Sequence, residues 1–180
     1  MTKPDPKDRR RFLAGAAMVA GAAVAEAASA QTPQAAYVTP GLRLAFTAHV
    51  TISGLRTIGP SAGGGQLRIA PITGGTFEGP RLKGKVMAGG ADWQTLRADG
   101  TTELAAHYGL ETEDGTIIQV WNNVLIAPAA GDQPRLTRSV IKLQAPIGPH
   151  DWVNKAVFLG TLNAPGDRMA PVVIRCFEVI

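Results

Sequence analysis

The residue of this chain best placed to move a proton is Asp92, and its neighbours make the case. It lies in Gly89-Gly90-Ala91-Asp92-Trp93-Gln94, directly before an indole and just after a Gly-Gly turn signal. A carboxyl half-buried beside an indole has its pKa raised towards the range that a general acid or base needs. Structure alone also accounts for the pair, with Asp92 capping the turn and Trp93 packed in the core. His107 and Tyr108 adjoin, so on a strand they point to opposite faces. Tyr108 shares its parity with Leu104, Ala106 and Leu110 and is the inward choice, which leaves His107 outside. Trp121 and Asn122 present the same fork. Trp152 and Asn154, two residues apart, would share a face, and an amide beside an indole suits an apolar pocket with a few polar groups. Packing of Trp152 with a satisfied Asn154 explains them equally well. Glu78, between Phe77 and Gly79, is either a loop contact or a residue at the mouth of a pocket. Asp99 and Asp114 each precede a glycine and are explained by hairpin turns.

Other chemistries find no residues to carry them. The three histidines, His49, His107 and His150, are far apart and lack ligand spacing, so no metal site is indicated. There is no Gly-x-Ser-x-Gly elbow. Gly63-Gly64-Gly65 and Gly74-Gly75 lack the helix and the Lys-Ser/Thr of a phosphate-cradling loop. The single cysteine, Cys176, sits in Val172-Val173-Ile174-Arg175-Cys176-Phe177 and reads as a small buried hydrophobe. No cofactor motif is present.

The elements that would position these residues are strands. Leu42, Leu44, Phe46, Ala48 and Val50 alternate with polar residues as in a half-buried strand. Further strands are expected over 66–72, stopped by Gly74-Gly75, then around Leu82, Gly84 and Val86, and over 92–98, 102–110, 117–126, 135–143, 152–162 and 172–180. Gly59 to Gly65 reads as loop. Turn chemistry fills nearly every gap, and 21 glycines and 13 prolines supply it. Nine or ten short strands at this spacing, with no convincing helix, predict an all-β fold: one closed or nearly closed antiparallel barrel.

The first 30 residues carry Arg9-Arg10-Arg11-Phe12-Leu13 and an Ala/Gly-rich apolar run, ending in Ala28-Ser29-Ala30. This resembles a twin-arginine export signal, expected to be cleaved after Ala30 and to send the protein to the periplasm. The apolar run is shorter than the roughly 20 residues that cross a bilayer, so no stable membrane anchor is expected after cleavage. Residues 31–41 read as a flexible lead-in and 42–180 as the barrel domain. Of 18 bases and 14 acids, five and three fall in the leader, leaving a net charge of only +2. That balance gives no footprint for nucleic acid.

The succession Pro71-Ile72-Thr73-Gly74-Gly75-Thr76-Phe77-Glu78-Gly79-Pro80-Arg81-Leu82-Lys83-Gly84-Lys85-Val86, then Gly89-Gly90-Ala91-Asp92-Trp93, Asp99-Gly100, Tyr108-Gly109-Leu110 and Asp114-Gly115, resembles the family called domain of unknown function 3237. The resemblance implies a lipocalin-like β-barrel and brings no established activity with it. Members of that family usually show Tyr-x-Trp-Leu-Asn near the C-terminus, where this chain has His150-Asp151-Trp152-Val153-Asn154. Three functions stand open at this level. The barrel could bind a small apolar or aromatic molecule, lined by Trp93, Tyr108, Trp121 and Trp152. It could be a cofactor-independent isomerase, cyclase or lyase using Asp92. It could be a packed barrel working through its outer surface, as a homo-oligomer or partner module.

Overall fold

The computed structural model describes residues 38–164 and 170–180; the expected leader and most of the lead-in lie outside them. Ten strands form one antiparallel sheet: β1 (Leu42–Ile52), β2 (Arg56–Pro60), β3 (Gln66–Glu78), β4 (Lys83–Val86), β5 (Ala91–Leu96), β6 (Thr102–Thr112), β7 (Ile117–Ala127), β8 (Leu136–Gln144), β9 (Phe158–Asn163) and β10 (Val172–Val179). The sheet closes because β1 pairs with β10 on one side and with β3 on the other. Two staves are built from paired pieces. β4 and β5 together fill the space between β3 and β6, and β2 continues upward along β3 where β1 ends. The result is a closed barrel of eight staves, a size whose interior is just wide enough to be filled by side chains or to hold one small ligand.

Long β3 is where the chain departs most from its local signals. Gly74 and Gly75 do not stop the strand; they lie within its 13 residues. Gly75 has φ 138°, and a Cβ there would run into the carbonyl oxygen of His49 on β1. The glycines are therefore the place where β3 bends against β1, as glycine allows at a tight barrel corner. A second departure is in β1, where a bulge between Leu44 and Phe46 shifts the alternation. Phe46, Ala48 and Val50 point inward as expected, whereas Leu42 and Leu44 are exposed on the outer wall. The stretch 56–60, expected as chain between strands and loop, is β2.

The two ends of the barrel differ. One is packed solid: Phe46 and Phe77 meet edge to face at 5.7 Å, and Leu82, Leu110, Ile118, Val120 and Phe158 surround them. A 3-10 helix, Asp151–Lys155, closes this end in place of the strand expected to begin at Trp152. Its Val153 is buried in the same cluster. Asn154 clamps the helix to the end of β8, its Oδ1 accepting from the Ala145 amide at 2.9 Å and its Nδ2 donating to the Ala145 carbonyl at 3.0 Å. His150 reaches the Asp114 carboxylate in the β6–β7 turn, Nε2 to Oδ2 3.1 Å. The opposite end holds only a small cluster of Leu104, Val124 and Ile126. The β2–β3, β5–β6 and β7–β8 connections and the ends of β9 and β10 at Asn163 and Val172 form its rim.

Candidate functional site

Strand register decides which polar groups enter the barrel. Ala70, Asp92, Ala106 and Asn122 pair in one row across β3, β5, β6 and β7. The next row towards the rim is Arg68, Gln94, Leu104, Val124 and Ser139. Ala70, Leu104, Asn122, Val124 and Ser139 are buried, so these rows form the inner wall. Asp92, Gln94, Arg68, Asn122 and Ser139 thus face the lumen at its less filled end, with Tyr108 below them.

Within this group the Gln94 amide donates from Nε2 to Asp92 Oδ2 at 2.7 Å. Burial pushes the Asp92 carboxyl up from its ordinary 3.8 to about 6, against the opposing pull of the Gln94 hydrogen bond, the Ala105 backbone and the Arg68 charge. Burial likewise raises the Tyr108 phenol, and it pushes the Cys176 thiol up to about 12. Both therefore keep their protons near neutrality. Among the described residues, four side-chain polar atoms are shut from solvent without a hydrogen-bond partner: Arg68 Nε, Asp92 Oδ1, Asn122 Oδ1 and Ser139 Oγ. All four belong to the two inner rows. Each such atom costs about 1–3 kcal/mol of stability, so their gathering at one place marks a functional surface more readily than chance.

The space beside Asp92, Tyr108 and Asn122 is small, about 40 Å³, and otherwise walled by apolar side chains such as Val50, Ile72 and Ile174. One probe-sized water takes roughly 10–15 Å³ on this measure, so the space fits a polar head group rather than a whole organic ligand. Leu104, Leu162 and Val172 wall the same space on its rim side, so the body of any larger ligand has to extend beyond them towards the rim.

The structure brings together only two of the residues expected to share a site, Asp92 and Tyr108. Trp93 is 55% exposed on the outer wall, one position out of phase with Asp92. It borders an open trough of about 570 Å³ with Ile58, Leu67 and Leu125, outside the barrel. Trp121 also faces out, stacked on His107 with ring centroids 4.8 Å apart. Its strand parity sends Asn122 inward instead. Trp152 caps the closed end, edge-on to Phe158 at 6.0 Å and beneath the Arg81 guanidinium at 3.5 Å. Asn154 is spent on Ala145. Glu78 lies exposed on the outer wall opposite Lys83. The aromatic lining expected from the three tryptophans is therefore corrected: strand parity places two outside, and the 3-10 turn uses the third as a plug. Arg68, Gln94 and Ser139 went unnoticed in the sequence. Arg68 and Gln94 carried a signal all the same, since a charged and an amide residue stand at the buried parity of short strands.

A closed antiparallel barrel, sealed at one end and holding a carboxyl–amide–guanidinium group in its lumen, is the class of protein that fold and site define. The chain belongs to the family described as protein of unknown function (DUF3237), whose model matches residues 40–179. A UPF0311 protein, RPA1785 from Rhodopseudomonas palustris, is 38% identical over 163 residues, covering 79% of this chain and all of the relative. A solved β-barrel-like protein from Acinetobacter baumannii superposes with a TM-score of 0.73 at 25% identity, covering 82% of this chain and 100% of that one. The hydroalkoxylation enzyme phnH of Penicillium herquei is 28% identical over 122 residues, 68% of this chain and 74% of the enzyme.

Proposed function

We propose that the lumen binds a small, largely apolar organic molecule and that Asp92 moves a proton on it without a cofactor. The observation that carries this is the state of one carboxyl. Asp92 faces inward, is raised to about 6, is held by Gln94 through one oxygen and presents the other without a partner. A group balanced near the working pH can both take and return a proton, which is what general acid–base catalysis asks of it. The relative from Penicillium herquei supports the reading, since hydroalkoxylation adds O–H across a carbon–carbon double bond and consumes no redox partner. The leader supports a periplasmic site of action, to be checked by fractionating cells carrying the Arg9→Lys/Arg10→Lys double variant.

The test starts with native mass spectrometry of the protein purified from its producing cells, to identify the molecule it retains. That molecule is then incubated in D₂O with wild type and with Asp92→Asn. Deuterium entering carbon with wild type alone supports the proposal. Equal incorporation with both proteins refutes the role of Asp92. A protein that retains nothing, and binds nothing offered, points instead to the packed barrel acting through its outer wall.

A further inference from the structure

Arg68 has no role in the proton transfer itself, yet it is a charged group on the inner wall at the same end as Asp92. It stands directly opposite Gln94 and diagonally from Asp92, one row nearer the rim. Its Nε is shut from solvent without a partner. A guanidinium is charged at any working pH and gives strong, directional hydrogen bonds to oxyanions. A buried donor of this kind, diagonal to an orphaned acceptor on Asp92 and on the same inner wall as another on Asn122, is built to meet an oxygen that arrives from outside.

We propose that Arg68 recognises the acidic hydroxyl of a phenol or enol, holding its oxygen while Asp92 Oδ1 takes the proton. This rests on the acid–base reading of Asp92 and adds the class of substrate. The charges favour a neutral hydroxyl over a carboxylate that is already ionised. With Asp92 ionised, Arg68 and Asp92 cancel, and a pre-formed anion would meet the Asp92 carboxylate across a low-dielectric space. A phenol or enol enters uncharged and loses its proton only inside. The O–H bond breaks, the proton passes to Asp92, and the oxyanion rests on Arg68. Tyr108 and Cys176 retain their own protons and do not compete for it. If the oxygen then adds to a double bond in the same molecule, a C–O bond forms and the π pair takes the proton from Asp92 to form C–H. Asp92 returns to its starting state, and nothing is oxidised or reduced. Only the hydroxyl end needs to reach Asp92, which lines the space of about 40 Å³, with Arg68 one row above it towards the rim. The ring or chain lies towards the rim.

The test uses three probes at pH 6.5, where 4-nitrophenol is mostly protonated while Asp92 is mostly ionised: 4-nitrophenol, the smaller and neutral nitrobenzene, and the pre-ionised 4-nitrobenzoate. Binding to the full chain is followed by difference absorption and by protein NMR shifts at the Gln94 side-chain amide. Wild type is expected to prefer 4-nitrophenol over both others by about 10-fold or more, the size of one charge-assisted hydrogen bond. Arg68→Met should bring 4-nitrophenol and nitrobenzene to within about 3-fold, and Arg68→Lys, which keeps the charge, should restore part of the preference. Asp92→Asn leaves the lumen positive, so 4-nitrobenzoate should gain affinity there. Equal affinity of wild type for 4-nitrophenol and nitrobenzene overturns the proposal, as does a preference that survives Arg68→Met in a variant with the wild-type circular dichroism spectrum. Failure of all three probes to bind wild type overturns it too. The D₂O experiment reads Asp92 independently, so a lost hydroxyl preference with Asp92-dependent exchange intact sinks the role of Arg68 alone.

Discussion

Replacing Asp92 by asparagine mimics the protonated acid while keeping an acceptor for the Gln94 amide, and so isolates the cost of the buried charge. A carboxyl whose folded pKa stands above its unfolded value favours folding most at low pH, and that contribution is lost as pH rises through the folded value. The displacement from 3.8 to about 6 corresponds to a ceiling of about 3 kcal/mol. Solvent reaching the less filled end of the barrel should reduce this to about 1–3 kcal/mol. The wild type should therefore match Asp92→Asn near pH 4 and fall behind it between pH 4 and 7. By pH 8 it should trail by that amount, or by up to roughly 10 °C in melting temperature. Urea or thermal unfolding at half-unit pH steps measures the difference directly. A difference independent of pH, or a wild type more stable than the variant at pH 8, would mean that Asp92 is not held in the desolvated position described. The acid–base role would then lose its physical basis.

Two further substitutions probe the frame around the site. Gly75→Ala forces a side chain against the His49 carbonyl at a φ of 138°, and should cost more than about 3 kcal/mol or abolish folding; circular dichroism and thermal melting decide. Asn154→Ala strands both backbone groups of Ala145 at the closed end, with an expected loss of about 2–3 kcal/mol in urea unfolding, while 4-nitrophenol binding at the far end stays unchanged.

Much of the architecture was legible because strands announce themselves by alternation and glycine-rich turns. Leu104, Ala106, Tyr108 and Leu110 share the inner wall, and Asp99-Gly100 and Asp114-Gly115 make their hairpins. The misplacements share one cause: contacts between distant segments override local pattern. The bulge after Leu44 reverses two leucines, and the approach of β1 turns Gly74-Gly75 from a stop into a bend. The 3-10 turn at Trp152 follows from clamping Asn154 onto Ala145, which no run of neighbours encodes. In the candidate site, Tyr108 shares its parity with buried neighbours, whereas the aromatic character of Trp93 and Trp121 says nothing of the face they take, and both lie on the outer wall. Parity applied evenly would have favoured Arg68, Gln94 and Asn122.

Gly41 and Ile180 exchange two backbone hydrogen bonds, 2.7 and 2.9 Å, at the plugged end of the barrel. Ile180 therefore lies on the side opposite the rim. A tag or surface tether fused after Ile180 would hold the protein upside down, its rim towards solution and free to exchange probes. The same two residues are close enough to be spliced by a short linker. New ends could then be cut into the β2–β3, β5–β6 or β7–β8 connection, which turns these loops around the mouth into replaceable parts without unpicking the staves that hold Asp92.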